Sequence, residues 1–282
     1  MRRTTRALAL GGAISAAGCS LLTSLDGLST PSRDVADDGS PGPNVDAGAD
    51  DAPVPDAAPP EAAVAFCLGQ TDYRLCEDFD DGGLPGQFEL KEEKRGSVGR
   101  STALAFSPPG ALETKLFAQT TDDDSYAHLR ASFDPAGSAI SLGYSIRITS
   151  APGDQSIEIG AIEIETQAGA AYNVHTVYNA KPNGNDEIIL REYLYTTGTV
   201  NDLLGPFKVK RDEWFSLRVR LDAFAGAGEL QLNGVSMGSR TLSPPPAAVA
   251  GATKVRVYLG VYTYGKHGDW SALYDNAIIR YP

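Results

Sequence analysis

The chain has 282 residues, 42% of apolar type, and a formal net charge of −12 at pH 7. This acidity argues against a nucleic-acid-binding protein, because such proteins neutralise phosphates with basic side chains. No apolar run approaches the roughly 20 residues that a membrane-spanning helix needs.

The N-terminus has the order of an export signal. Three arginines within the first six residues precede an apolar stretch over residues 7–17, and small residues follow at once. Residues 16–20 read Ala-Ala-Gly-Cys-Ser, which resembles the lipobox of bacterial lipoproteins. The resemblance implies that residues 1–19 comprise a signal peptide and a lipidated cysteine, Cys19, and that Ser20 directs the protein to the outer membrane. The alternative is an ordinary secretory signal with Cys19 near the cleavage point.

Residues 20–63 are predicted to form a disordered linker rich in Pro, Ala and Asp. Between Pro31 and Glu61 no residue is aromatic, and eight acidic residues face only Arg33. Such a segment cannot bury enough apolar surface to offset the entropy lost on ordering, so we expect an extended spacer. Calcium chelation by these acids would need a fixed cage of oxygens. No cofactor or metal is predicted, and structural calcium stays an open possibility that no sequence feature indicates.

Beyond residue 64, apolar residues alternate with polar ones. The alternation runs through residues 140–149, 215–222 and 255–262, which predicts strands with one buried face. In residues 157–166 the alternation changes phase, which predicts a β-bulge at Gly160-Ala161.

Turn residues separate these predicted strands. Prolines and glycines mark loops at residues 108–110, 152–153 and 181–184, and Asn233-Gly234 predicts a two-residue hairpin. Many antiparallel strands with one buried face predict an all-β fold, a two-sheet antiparallel jelly-roll sandwich over residues 64–282.

Two cysteines, Cys67 and Cys76, lie close together at the start of this predicted domain. In an exported protein such a pair is predicted to form a disulfide, because a zinc site would need about four ligands and the nearest histidine, His128, is distant in sequence. The bridge would be worth on the order of 2–3 kcal/mol.

Several short segments together resemble concanavalin A-like (laminin-G-like) jelly-roll domains. In chain order they are Phe66-Cys67, Cys76 to Asp80, Ser107 to Leu112, Trp214 to Val219, Gly228 to Gly234 and Tyr274 to Ile278. The lipobox, acidic linker and this domain together resemble cell-envelope lipoproteins of myxobacteria. Domains of this fold serve as lectins, glycan-binding modules, glycoside hydrolases and polysaccharide lyases, so the resemblance implies a carbohydrate ligand.

The resemblance implies two kinds of catalysis that particular residues could carry. Retaining hydrolases of this fold carry Glu-x-Asp-x-Glu on one strand, but the run from Glu158 to Glu165 has the wrong spacing and lacks the Asp, so Glu163 and Glu165 are predicted as solvated surface. Alginate-lyase-type jelly rolls use a tyrosine or a histidine in proton transfer. Here His175 and Tyr262 would take these roles, although His175 is more simply explained as a strand histidine with a satisfied hydrogen bond.

The polar faces of the predicted strands are rich in tyrosine. Aromatic rings stack on the apolar faces of sugars, while hydroxyls and arginines reach sugar hydroxyls or a uronate carboxylate. Trp270 is predicted to stand in a polar loop beside residues 266–269. The predicted ligand-binding residues are Tyr178, Arg191, Tyr193, Tyr258, Tyr262, Tyr264 and Trp270.

The sequence therefore favours a surface-tethered, non-catalytic module that binds an extracellular or cell-wall polysaccharide. It would meet the membrane through its lipid anchor alone. A polysaccharide lyase or glycoside hydrolase of the same fold is one alternative, and an adhesion or structural domain with a protein partner is another.

Overall fold

The computed structural model describes residues 66–80, 83–135, 139–222, 226–243 and 251–281. The predictions for the signal peptide, for Cys19 and for the linker over residues 20–63 lie outside these residues. Within the described ranges, no helix has the length and apolar character needed to cross a membrane.

The described residues form one short 3-10 helix, Phe66–Gly69, and a series of strands. In chain order the strands are β1 (Leu75–Glu77), β2 (Leu90–Lys94), β3 (Gly96–Ser101), β4 (Ala111–Leu116), β5 (Asp124–Phe133), β6 (Ile140–Ser150), β7 (Ser156–Thr166), β8 (Gly169–Asn179), β9 (Asn185–Leu194), β10 (Thr199–Lys210), β11 (Phe215–Asp222), β12 (Ala227–Leu232), β13 (Val235–Thr241), β14 (Ala252–Tyr264) and β15 (Trp270–Arg280).

These strands form two sheets. The front sheet has the order β10-β9-β8-β7-β14-β5-β2, and the back sheet has the order β13-β12-β11-β6-β15-β4-β3, with β1 added beside β15. All pairings between the strands are antiparallel. The protein is thus an all-β, two-sheet antiparallel jelly-roll sandwich, and the predicted fold class is confirmed.

Apolar side chains from both sheets meet in a single core between them. Leu129 and Val257 of the front sheet and Ile146 and Val219 of the back sheet are almost fully buried there. Burial of one such side chain contributes about 1.5–3 kcal/mol. Strand β11 shows the principle most simply, because its buried and partly exposed residues alternate without a break.

The predicted hairpin and the predicted disulfide are both confirmed. Asn233 and Gly234 have φ angles of 51° and 76° and join β12 to β13 in a two-residue turn, as type I′ geometry requires. Cys67 and Cys76 are bonded with their Cα atoms 5.7 Å apart. Because β1 pairs with β15, this bridge fastens the start of the described chain to the back sheet.

Strand β7 contains the predicted irregularity at Gly160. Its register against β8 shifts between Glu158 and Gly160. Residues five apart on a regular strand point to opposite faces, because side chains alternate with a period of two. The extra residue instead brings Glu158 and Glu163 to the same, outer face of the front sheet.

Candidate functional site

A cleft of about 810 Å³ lies on the outer face of the front sheet. Residues from all seven strands of that sheet line it. They are Glu92, Tyr126, His128, Arg130, Glu158, Gly160, Ala161, Glu163, Asn173, His175, Arg191, Tyr193, Tyr195, Val200, Tyr258, Gly260, Tyr262 and Tyr264.

The period-two alternation explains this lining. Residues 126, 128 and 130 on β5 and residues 191 and 193 on β9 face the cleft, as does Tyr195 just after β9. Residues of the opposite phase on the same strands, such as Leu129 and Leu190, enter the core. At the centre, Gly260 on β14 has a φ of 140°, and a Cβ there would lie 2.3 Å from the carbonyl oxygen of Ala127. Glycine is therefore required where β14 passes closest to β5.

Glu163 is a buried carboxylate at the middle of the cleft. It is only 6% exposed and accepts hydrogen bonds from the hydroxyls of Tyr195 at 3.0 Å and Tyr258 at 3.3 Å. Burial raises the pKa of Glu163 above its ordinary value, against the opposing effect of Tyr195 and of the Arg256 guanidinium. The expectation that this residue belongs to a solvated surface was wrong, because the neighbouring tyrosines cover it.

Glu158 and His175 form a second polar pair, with Oε1 and Nε2 3.5 Å apart. Burial raises the pKa of Glu158 to about 8. Burial, together with the Arg191 guanidinium, lowers the pKa of His175 to about 3. Near neutral pH the pair is therefore an uncharged carboxylic acid beside an uncharged imidazole, a hydrogen-bond donor next to an acceptor.

One end of the cleft, at β2 and β5, carries an ion-paired cluster. Glu92 accepts from His128 Nε2 at 2.9 Å and from an Arg130 guanidinium nitrogen at 2.8 Å. The hydrogen bond from His128 holds the pKa of Glu92 below its ordinary value. The His128 ring stacks on Tyr126 and meets Tyr258 edge-on, with centroids 5.2 and 4.9 Å apart.

The other end, at β9 and β10, is more aromatic and more exposed. Tyr193 and Tyr195 pack edge-to-face with centroids 4.6 Å apart, and Val200 is about half exposed. Arg191 donates through Nε to Asp202 Oδ1 at 2.5 Å. Among the described residues no group of three or more His, Cys, Asp or Glu side chains is placed to hold a metal ion.

The structure places most of the predicted site residues together. Arg191, Tyr193, Tyr258, Tyr262 and Tyr264 line the cleft, as does the candidate base His175. The Tyr262 hydroxyl donates to Asp124 Oδ1 at 2.9 Å, and burial and this hydrogen bond both raise the pKa of Tyr262. Of the two His175 ring nitrogens, Nε2 lies 3.5 Å from the Glu158 carboxyl and Nδ1 is buried without a hydrogen-bond partner among the described residues, so the expected hydrogen bonding of the ring is incomplete. That any of these residues binds a ligand stays a prediction.

Two predicted site residues lie elsewhere, and their assignment to a groove was wrong. Tyr178 is fully buried in the core, where its hydroxyl donates to Asp186. Trp270 is 1% exposed and begins β15 instead of standing in a loop. The two rings pack edge-on with centroids 6.2 Å apart. Tyr178 shares the inward phase of Val174 on β8, so its side chain must enter the sandwich.

Sequence reasoning missed the part of the cleft built by β2 and β5. Tyr126, His128 and Arg130 alternate along β5 with buried residues, and this pattern was available in the sequence. Glu158 was also missed as a cleft residue, although the predicted bulge places it on the face of Glu163. Asn173 was missed too, and the position of His175 two residues along the same strand would have indicated it.

No family model matches the chain, and no curated protein sequence matches it. Among solved structures, the cellulose-induced protein Cip1 is 15% identical with a TM-score of 0.49, over 73% of this chain and 96% of that one. Alginate lyase A1-II′ of polysaccharide lyase family 7 is 16% identical with a TM-score of 0.47, over 64% and 83%. The alginate lyase from Klebsiella pneumoniae is 13% identical with a TM-score of 0.49, over 63% and 84%. Proteins this dissimilar in sequence can differ in chemistry, so the function of this chain must follow from its own cleft.

Proposed function

We propose that the cleft on the front sheet binds a polysaccharide chain. The observation that carries this proposal is the lining, since six tyrosines and several ion-paired or hydrogen-bonded polar groups share one open surface. Tyrosine offers an apolar ring for the C–H face of a sugar and a hydroxyl for its polar edge. Such a surface suits a ligand that is both flat and rich in hydroxyls.

The extent of the cleft favours a polymer over a single sugar. Its lining runs from Glu92 on β2 to Val200 on β10, which are the two edge strands of the front sheet. Six inter-strand steps of about 4.8 Å give a path of at most about 29 Å across the strands. A chain of several sugar units would occupy this length, whereas a monosaccharide would leave most of the tyrosines uncontacted.

Buried polar atoms in the cleft supply hydrogen-bonding groups for sugar hydroxyls. Asn173 Oδ1 and His175 Nδ1 are buried without a hydrogen-bond partner among the described residues. A buried polar atom left unpaired costs about 1–3 kcal/mol. A ligand hydroxyl can donate to Asn173 Oδ1, and it can accept from the Nδ1–H that a neutral His175 carries when its Nε2 faces the protonated Glu158 carboxyl.

A glycan array followed by calorimetry tests this proposal on the full chain. The variants Tyr193→Ala and Tyr264→Ala each remove a cleft ring, and Phe117→Ala is the matched control because Phe117 is 53% exposed and lies outside the cleft. Each cleft variant is expected to weaken binding of the retained oligosaccharide about 2- to 12-fold, the equivalent of about 0.5–1.5 kcal/mol per aromatic contact. Affinity should also rise with oligosaccharide length. An array that retains no glycan, or equal affinities in all three variants, would overturn the proposal.

Cleavage of an acidic polysaccharide is the second candidate, favoured because His175 and Tyr262 share the cleft. In this β-elimination, His175 takes the C5 proton of a uronic acid unit and the released electron pair forms the C4=C5 double bond. The C4–O bond breaks, and the leaving oxygen takes a proton from Tyr262. A histidine with a pKa of about 3 is a weak base, which is why binding is proposed first.

The two candidates separate by ultraviolet absorbance of unsaturated uronides. If the protein cleaves, ultraviolet absorbance should rise when it is incubated with a uronate-rich polysaccharide. This rise should be lost in His175→Gln and in Tyr262→Phe, and it should be unchanged in Phe117→Ala. Binding alone predicts no rise with any polysaccharide that the array retains.

For presentation at the cell surface, we propose that an acylated Cys19 anchors the chain in the cell envelope and that residues 20–63 act as the spacer. The support is the sequence alone, and each buried lipid methylene would contribute about 0.8 kcal/mol. Cys19→Ala should move the protein from the membrane fraction to the soluble fraction of the host. A wild-type protein without attached lipid by intact mass would contradict this proposal.

A further inference from the structure

A basic depression of about 660 Å³ lies on the outer face of the back sheet, on the opposite side of the sandwich from the cleft. We name it the arginine trough. Four arginines line it, namely Arg74, Arg218, Arg220 and Arg280. Asp72 is the one carboxylate among its lining residues. So dense a group of guanidinium ions is unexpected in a chain with a net charge of −12.

The sheet register explains the shape of the trough. Ser141 on β6 pairs with Arg220 of β11 on one side and with Arg280 of β15 on the other. The next outward-facing residue of β6 is Gly143, which pairs with Arg218. Small residues on the middle strand thus form a floor between longer arginine side chains on the two flanking strands.

Most of these positive charges have no carboxylate partner. Arg220 is the exception, because it is paired with Glu229 at 3.0 Å and lies 3.8 Å from Asp222. The neighbouring Arg280 donates to the neutral amide of Gln70 at 2.9 Å. The Arg218 side chain makes no hydrogen bond or ion pair with any described residue, although its backbone is paired in the sheet. Burial lowers the pKa of Arg280 and the nearby Arg218 guanidinium lowers it further, against the opposing effect of the Asp72 carboxylate.

The fourth arginine follows the same pattern. Arg74 donates through Nε to the backbone carbonyl of Tyr281 at 2.9 Å and meets no carboxylate within salt-bridge distance among the described residues. A bound anion would relieve the repulsion between these groups, and the planar guanidinium matches carboxylate and phosphate groups with paired hydrogen bonds.

We propose that the arginine trough binds the acidic group of a small organic anion, a carboxylate or a phosphate. A small ligand responds to the local charge, because charges farther away than about 8 Å are screened at physiological salt. A long polyanion would instead meet the acidic remainder of the protein. Tyr73 is 38% exposed at the same depression and offers a ring for the uncharged body of the ligand. An acidic monosaccharide has both the acidic group for the arginines and the uncharged ring for Tyr73.

The test is isothermal titration of the full chain with glucuronate, with glucose as the neutral match of the same ring size. Arg218→Gln and Arg280→Gln each remove one guanidinium from the trough, and the Arg218 side chain has no hydrogen bond or ion pair to a described residue that the substitution would break. Lys208→Gln is the control, since it removes an equal charge from an exposed position on β10 of the front sheet. Far-ultraviolet circular dichroism confirms that each variant is folded.

Glucuronate is expected to bind, and glucose is not. Each arginine variant should lower the affinity for glucuronate at least about tenfold, whereas Lys208→Gln should leave that affinity unchanged. Competition by glucose 6-phosphate would extend the site to phosphates, and its failure to compete would confine the site to carboxylates. Absence of glucuronate binding at millimolar concentration, equal binding of glucose, or an equal loss in Lys208→Gln would overturn the proposal. Because the proposed polysaccharide cleft lies on the other sheet, failure of one proposal leaves the other standing.

Discussion

Glu158 makes the stability of this protein depend on pH in a window that can be isolated. Its pKa is raised from 4.5 to about 8 by burial, so between these values the native state holds a proton that the unfolded chain has lost. The free energy of unfolding therefore falls as pH rises through this window. His175 acts in the opposite sense, because its pKa is lowered from 6.5 to about 3 and only the unfolded chain is protonated between these values.

Above pH 6.5 His175 is uncharged in both the native and the unfolded state, so it no longer changes the pH dependence of stability, and the effect of Glu158 can be measured without it. Each pH unit then lowers the free energy of unfolding by about 1.36 kcal/mol, which gives a fall of at most about 2 kcal/mol between pH 6.5 and pH 8. The figure is an upper one, because 27% of the Glu158 side chain is exposed. Glu158→Gln keeps the shape of the side chain and removes the ionisable group, so this share of the pH dependence should vanish.

The assay is urea unfolding of wild type and Glu158→Gln at pH 6.5 and at pH 8, followed by tryptophan fluorescence. Glu158→Gln is expected to gain stability relative to wild type at the higher pH. A difference between the two proteins that does not change with pH would refute the burial argument. A glutamate kept at such a cost is understandable if the cleft needs it for binding, since functional groups commonly reduce stability.

Three further predictions concern the framework around the cleft. Asp186→Asn should lower the free energy of unfolding, measured in urea, by about 3–5 kcal/mol, because it leaves Arg211 without its buried carboxylate partner. A loss below about 1 kcal/mol would show that this ion pair is dispensable for stability. Thiol titration of the native protein should find Cys67 and Cys76 unreactive, and their reduction should cost about 2–3 kcal/mol of stability; reactive thiols before reduction would contradict the bond. Gly260→Ala should reduce the yield of folded protein or lower the melting temperature, since its positive φ and the close carbonyl leave no room for a Cβ; an unchanged melting curve would show that β14 can shift.

The alternation of side chains predicted the architecture well, because a period of two is a local property of each strand. The predicted strand over residues 215–222 has the bounds of β11, and the phase change at Gly160 marks a real irregularity of β7. Local patterns also fixed the hairpin at Asn233-Gly234. None of these inferences needed to know which strands are neighbours.

Assignment to the cleft was harder because tyrosine suits both faces of a sheet. The prediction of one surface for Tyr178 and His175 is wrong, because they stand three residues apart on β8 and point in opposite directions. Trp270 was assigned to a loop because the polar residues before it hide the start of β15. The contribution of Glu92 and His128 depends on β2 pairing with β5, a long-range contact that no local pattern announces.

The most direct test of the proposed polysaccharide site is a crystal structure of the protein with the longest oligosaccharide that the glycan array retains. Sugar rings are expected along the front sheet, in contact with Tyr193, Tyr258 and Tyr262, with hydroxyls near Asn173 and His175. An oligosaccharide ordered on another surface, with no density over the front sheet, would contradict the assignment of the cleft.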